Sequence, residues 1–384
     1  MTDPSLSCPI CLDQGAGLIA APRHVPVWDD LTEAERTAML GEVGTCLGRG
    51  AAQFLASSDH NHFHLRDTSP TRLTTGGADP LLPLLGEKLD RATLDDLAMA
   101  FSHRTDKNLK LASAALHKAH KRFPDLALAP SLQADVEISR MIRGYVRPAK
   151  HATAALKLVE VALSLQPNLP SALASKGFLI GMTANNITGG LYLITEALKS
   201  GPPSWLAEFY KAWLLIGYGQ LDRAEAALNT ALAITPLERV LLALKGWVLC
   251  AQNRYDEAAF YIDESLTFRP DVDLLWIMKA LIHVKSDEWD AAEKAISGAL
   301  RLYPDDTFVQ AHHAWIKAKT GRKSEAISFL LGISKSSTSY ISPTHIAAIR
   351  LALGDQTFAQ VSHEKARVDK DPWRLLAWCD PRFT

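Results

Sequence analysis

Prolines recur at a fixed interval through the second half of the chain. Pro202, Pro236, Pro270 and Pro304 are separated by 34 residues each, and Pro167 is one residue out of phase. Because proline lacks a backbone N–H and disfavours helix in the residue before it, each of these prolines predicts the end of a helix. A repeat of this length indicates a stack of short units, none of which can bury its own apolar face alone.

Small residues form three further columns when each unit is numbered so that its proline is position 32. Small side chains at these positions would let the two helices of a unit, and the next unit, approach closely. The columns are Ala212, Gly246, Ala280 and Ala314 at position 8; Ala224, Ala258, Ala292, Ala326 and Ala359 at position 20; and Ala231, Ser265, Ala299 and Ala366 at position 27, where Ile333 departs from the pattern.

This pattern resembles the tetratricopeptide repeat (TPR) family over residues 93–373. The resemblance implies an all-α fold, a right-handed solenoid of about eight helical hairpins. The best units are 205–238, 239–272 and 273–306, whereas 127–170 is the weakest, because Arg143 falls at its small position 8. We expect residues 136–373 to be almost wholly helical, with turns near 219–221, 253–255 and 287–289.

The C-terminal tail contains Trp373 and Trp378 and departs from the repeat. A solenoid needs a cap over the apolar face of its last unit. We therefore expect a final partial helix that covers the last hairpin, with residues 374–384 as the C-terminal cap.

The resemblance also implies where a partner binds. In the TPR family the first helix of each hairpin lines a concave groove, and positions 2, 5 and 9 are prominent there. In this chain those positions are apolar or aromatic: Leu206, Phe209, Trp213, Val240, Trp247, Leu274, Ile277, Phe308 and Trp315. They predict a protein or peptide partner held by desolvated anchors.

The three tryptophans at position 9 (Trp213, Trp247 and Trp315) should lie on one concave surface, each partly exposed to solvent. The alternative is that they fill space between successive first helices, or pack against a capping segment. From residue 205 onward, positions 2, 5 and 9 contain no Lys, Arg or Asn. That absence argues against a clamp for the C-terminal carboxylate of chaperone tails.

Charge and hydropathy narrow the partner class further. The formal net charge is −1, which gives no overall field that favours nucleic acid or an anionic membrane. A basic excess in 103–150 lacks the interleaved aromatic residues that stack on bases. The sequence has neither a run of 18 apolar residues nor the layout of a secretory signal. We therefore expect no nucleic-acid or membrane partner, and a cytoplasmic location.

Residues 1–92 do not share the repeat and read as an irregular N-terminal segment. Cys8-Pro-Ile-Cys11, Pro-Arg-His-Val at 22–25 and the alternating His60, His62 and His64 resemble the histidine-triad (HIT) nucleotide hydrolases and transferases. The resemblance implies His62 as the nucleophile and Cys8, Cys11 and His60 as zinc ligands.

The N-terminal segment also departs from the HIT pattern. Too few residues lie between Cys11 and Gly17 for the family's strands, the strand expected between Met39 and His60 is missing, and Asn61 replaces an apolar residue. An active hydrolase, a structural zinc knuckle and a metal-free cap all stay open. The leading hypothesis is a non-enzymatic interaction scaffold that needs no cofactor other than a possible zinc ion. The alternative is a HIT-like nucleotide phosphohydrolase or transferase with a TPR tail.

Overall fold

The computed structural model of the chain describes residues 89–90, 93–94, 97–98, 101, 104–335 and 340–383. Within these ranges the regular structure is entirely helical. The α-helices are α1 Asp106–Arg122, α2 Leu128–Ile142, α3 Pro148–Leu165, α4 Pro170–Thr183, α5 Ile187–Ser200, α6 Trp205–Gly217, α7 Leu221–Ile234, α8 Arg239–Ala251, α9 Tyr255–Phe268, α10 Asp273–Lys285, α11 Trp289–Leu302, α12 Thr307–Lys319, α13 Lys323–Lys335, α14 Pro343–Ala352 and α15 Gln356–Val368.

From α2 onward the helices form consecutive hairpins, each packed on the next. Three-residue connections join α6 to α7, α8 to α9, and α10 to α11, at 218–220, 252–254 and 286–288. Each connection contains one residue with positive φ, namely Gly219, Asn253 and Asp287, as expected where a helix ends in a left-handed residue. The predicted all-α solenoid and its turns are confirmed.

The small-residue columns lie where helices cross. Ala212, Ala258 and Ala292 are fully buried. A Cβ atom added to Gly246 would come within 2.6 Å of the Ile262 side chain, so an alanine there would require Ile262 on α9 to shift. The columns therefore set the spacing between the helices of the stack.

The predicted placement of the unit in 127–170 is wrong. α2 ends at Ile142, so Arg143 caps its C-terminus instead of occupying the small position in the middle of a first helix. Pro167 follows the end of α3 as the repeat phase requires, but α3 has 18 residues and begins at Pro148, so α2 ends earlier than that phase predicts. Proline suits a first helical position because the N–H it lacks has no partner within the helix there.

The tail was expected to form one final partial helix. It forms two short 3₁₀ turns, Pro372–Leu375 and Ala377–Cys379. The first contacts α15 and reaches across to α2 and α6. The stack therefore curves so far that its two ends meet, and the tail lies between them on the inner, concave side.

Candidate functional site

An apolar cavity lies on the concave side of the solenoid. It encloses about 860 Å³ of empty space, which includes its opening to solvent, and its walls come from α2, α6, α8, α10 and α12 together with Trp373 and Arg104. These helices are all the first members of their hairpins. Mostly apolar walls with a few polar side chains are typical of sites that bind ligands or side chains.

Eight of the nine predicted partner-binding residues line this cavity, and Trp315 does not: Leu206, Phe209, Trp213, Val240, Trp247, Leu274, Ile277 and Phe308. The repeat phase therefore places these residues on one surface. Their binding to a partner stays a prediction.

The expected exposure of the tryptophans is wrong. Trp213, Trp247 and Trp315 are 2%, 4% and 2% exposed. The ring of Trp373 in the tail lies 5.1 Å from that of Trp213 and 5.7 Å from that of Trp247, centroid to centroid. The tail thus covers the two tryptophans that face the cavity, in agreement with the alternative of packing against a capping segment.

A buried ionic cluster joins the two ends of the solenoid beside the cavity. Arg143 donates from Nη2 to Asp273 Oδ2 at 2.8 Å and to Asp306 Oδ2 at 2.9 Å. Arg239 donates to the other oxygen of Asp273, and the Tyr145 hydroxyl donates to Asp306 at 2.8 Å. Because all the charges have partners of opposite sign, the cluster is tolerated in a buried position.

Burial and neighbouring charges shift the pKa values of groups in this cluster and of two histidines outside it. Burial alone would raise the pKa of Asp273, but Arg143 and Arg239 outweigh it and lower that pKa below its ordinary value. Burial and the positive charge of Arg382 lower the pKa of His312 and His345 well below the usual range. Both imidazoles are therefore neutral at physiological pH.

A third arginine, after Arg143 and Arg239, lines the cavity with part of its donor capacity unused. Arg104 donates from Nη1 to Ser139 Oγ at 2.7 Å, and its Nε lies 3.9 Å from Glu238 Oε1, beyond hydrogen-bond distance. Among the described residues, Arg104 Nε and Nη2 have no hydrogen-bond acceptor. Burial raises the pKa of Glu238, so this pair is weaker than the Arg143 cluster.

Sequence reasoning missed the arginines and Trp373. Arg239 and Asp273 form an ion pair and are 34 residues apart, each at position 1 of its unit. Opposite charges at one repeat position in consecutive units could therefore have predicted this pair. The sequence offers no such signal for Arg143 or Trp373, because their partners lie far away along the chain.

The residues behind the HIT and zinc hypotheses (Cys8, Cys11, His60 and His62) lie outside the described residues. Those hypotheses stay predictions. In the part of the chain that the structure describes, no group of three or more His, Cys, Asp or Glu side chains could hold a metal ion. No helix in that part is long and apolar enough to cross a membrane.

Comparison with known proteins supports the fold. No family model matches the chain, and no curated protein is similar to it. Among solved structures, the Cut9–Hcn1 hetero-tetramer of the APC/C matches with a TM-score of 0.54 and 14% identity, covering 91% of this chain and 67% of that one. The human IFIT1 dimer with PPP-AAAA matches with a TM-score of 0.53 and 16% identity, covering 71% of each chain.

These matches are TPR proteins, and at such low identity they establish the fold alone. The chain is therefore a TPR-type solenoid.

Proposed function

We propose that this chain is a non-enzymatic scaffold that binds a peptide of a partner protein, with large apolar side chains of the peptide entering the concave cavity. The observation that carries the proposal is that eight residues from repeat positions 2, 5 and 9 line one cavity. Apolar and aromatic walls of this kind give affinity by desolvating a few anchor side chains. We assign partner binding to the eight residues that line the cavity. Trp315 on α12 is buried and does not line the cavity, so we assign it to packing.

The IFIT1 structure contains PPP-AAAA, which raises nucleic acid as a different ligand for a solenoid of this shape. The cavity described here favours a peptide. Its walls are mostly Leu, Ile, Val, Phe and Trp side chains, and the charges of Arg143 and Arg239 are already neutralised by Asp273 and Asp306. Arg104 keeps unused donors but lies beside Glu238, so a phosphate chain would have to displace carboxylates or rely on Arg104 alone for counter-charge.

A selection from a random peptide library on the full chain tests the proposal. We expect enrichment of peptides with two or more large apolar residues, with dissociation constants measured by fluorescence anisotropy. Ala243 lines the cavity, so Ala243→Leu should fill part of it and weaken binding at least about tenfold. The matched control is Ala226→Leu on α7, where the side chain is exposed.

Equal binding of the selected peptides to both variants would place the binding surface elsewhere and contradict the proposal. Peptides whose binding depends only on salt concentration would do the same, because they would bind by surface charge.

A further inference from the structure

The C-terminal segment, defined as residues 369–383, is held on the concave surface by a specific set of contacts. Asp371 is fully buried and anchors the start of the segment: its Oδ2 accepts from Thr344 N at 3.1 Å and Thr344 Oγ1 at 2.7 Å. Trp373 follows, with its ring 5.3 Å from that of Phe308. The segment therefore enters the concave side directly beside the cavity.

Three side chains of the segment donate hydrogen bonds to the C-terminal ends of three first helices. Trp373 Nε1 donates to Ile142 O at the end of α2 at 2.7 Å. Arg374 Nη2 donates to Met182 O near the end of α4 at 3.0 Å. Trp378 Nε1 donates to Ile216 O near the end of α6 at 3.0 Å. One donor thus serves each of three consecutive hairpins.

The physical reason for this pattern is the chemistry of helix C-termini. The last four carbonyl groups of a helix have no intrahelical donor, and the helix dipole places partial negative charge there. Indole N–H groups and a guanidinium supply donors, and the guanidinium also supplies positive charge. The ends of α2, α4 and α6 and the adjoining cavity wall form one surface that selects a short segment with Trp, Arg and Trp donors.

We infer that this surface is the partner-binding surface, and that a partner occupies it with a segment of the same chemistry, displacing the chain's own C-terminal segment. The inference rests on the proposed function and adds the kind of partner to it: a peptide with a tryptophan for the Trp373 position, a neighbouring basic side chain and a second indole. Because the chain's own segment is tethered, its effective concentration is high. The partner therefore binds only when its affinity is high enough to displace the C-terminal segment.

A peptide with the sequence of residues 369–378, labelled with a fluorophore at its N-terminus, tests the inference on the full chain. The wild-type chain should bind this peptide weakly. The full-length Trp373→Ala variant, whose own segment lacks its anchor, should bind it at least about tenfold more tightly. The same peptide with alanine in place of Trp373 should bind neither protein. Anisotropy gives the affinities, and thermal melts show whether each variant is folded.

Arg374→Ala provides a second full-length variant. Arg374 is only partly buried, so its loss weakens the hold of the segment on α4 without opening a cavity. Should Trp373→Ala fail to fold, tighter peptide binding by Arg374→Ala supports the inference, and unchanged binding contradicts it. Equally tight peptide binding by the wild type and by folded Trp373→Ala would also contradict it.

The two proposals fail in different ways. Ala243→Leu could lose binding of the library peptides while Trp373→Ala gains no binding of the segment peptide. That result would support the scaffold function and contradict displacement of the C-terminal segment. Trp373→Ala could bind the segment peptide while Ala243→Leu binds the library peptides as tightly as the wild type. That result would contradict the assignment of the cavity as the partner site.

Discussion

Gly177 and Gly190 lie where α4 and α5 cross at their closest. A Cβ atom added to Gly177 would come within 2.6 Å of Gly190 O and 2.8 Å of the Ile194 side chain. The first of these contacts is with backbone and cannot be relieved by a rotamer change. We expect Gly177→Ala to lower the free energy of unfolding by roughly 1–3 kcal/mol, the usual cost of overpacking, as measured by urea denaturation.

Gly332 on α13 supplies the matched control. Nothing lies within 4 Å of the position that its Cβ would occupy, and its φ is not positive. Gly332→Ala should therefore stabilise the protein by about 0.5–1 kcal/mol through helix propensity. A similar loss of stability in both variants would show that the α4–α5 crossing has no special tightness.

Glu264 on α9 gives a prediction for pH. Burial raises the pKa of Glu264 to about 8 from 4.5. The folded protein therefore keeps a proton that the unfolded chain releases, so this residue's contribution to stability falls as pH rises from about 4.5 to about 8. Relative to the wild type, Glu264→Gln should be more stable near pH 9 than near pH 5 in urea denaturation. A stability difference independent of pH would contradict the shift.

At the scale of helices, the contacts of Arg143 decide how α2 meets α10 and α12. Arg143→Ala would leave Asp273 and Asp306 buried with one cation fewer between them. We expect a loss of about 3–5 kcal/mol in unfolding free energy, the cost of breaking a buried pair on one side. The comparison is Arg367→Ala on α15: Arg367 and its partner Glu364 are exposed, so the change in unfolding free energy there should be far smaller. Equal effects would mean that the buried cluster does not hold the ends together.

The turns of the hairpins α6–α7, α8–α9 and α10–α11 could be predicted from the sequence because they depend on residues within one unit. A proline at position 32, small residues at positions 8, 20 and 27, and left-handed turn residues such as Gly219 act over a few residues each. The position of Trp213 and Trp247 on one surface follows for the same reason, since a shared repeat position fixes a shared direction.

The closure of the molecule could not be predicted in this way. It results from small rotations between hairpins that add up along the stack, and from pairs such as Arg143 with Asp306, which are 163 residues apart. The burial of Trp213 could not be predicted for the same reason, because Trp373, which covers it, belongs to the tail. Arg143 was misplaced because α3 has 18 residues, so that counting back from Pro167 to position 8 passes the end of α2.

Closure should also change how the whole molecule unfolds. In an open array each unit contacts only its neighbours, so the terminal units open first and independently of each other. In this chain the bond between Trp373 and Ile142 O joins residues 231 positions apart, and Arg143 adds a second link between the ends. Opening one end must therefore expose the other, and the two ends should share one opening equilibrium.

Hydrogen exchange followed by mass spectrometry would measure this coupling. In Trp373→Ala we expect faster exchange in α2 as well as in α14, while α9 and α11, which contribute no residue to the cavity wall, keep wild-type rates. Trp378→Ala is the control, because that half-exposed side chain donates to α6 and not to α2, and its effect should stay near α6. Faster exchange in Trp373→Ala confined to α14, α15 and the tail would mean that the ends open separately and that the contact between them does not couple them.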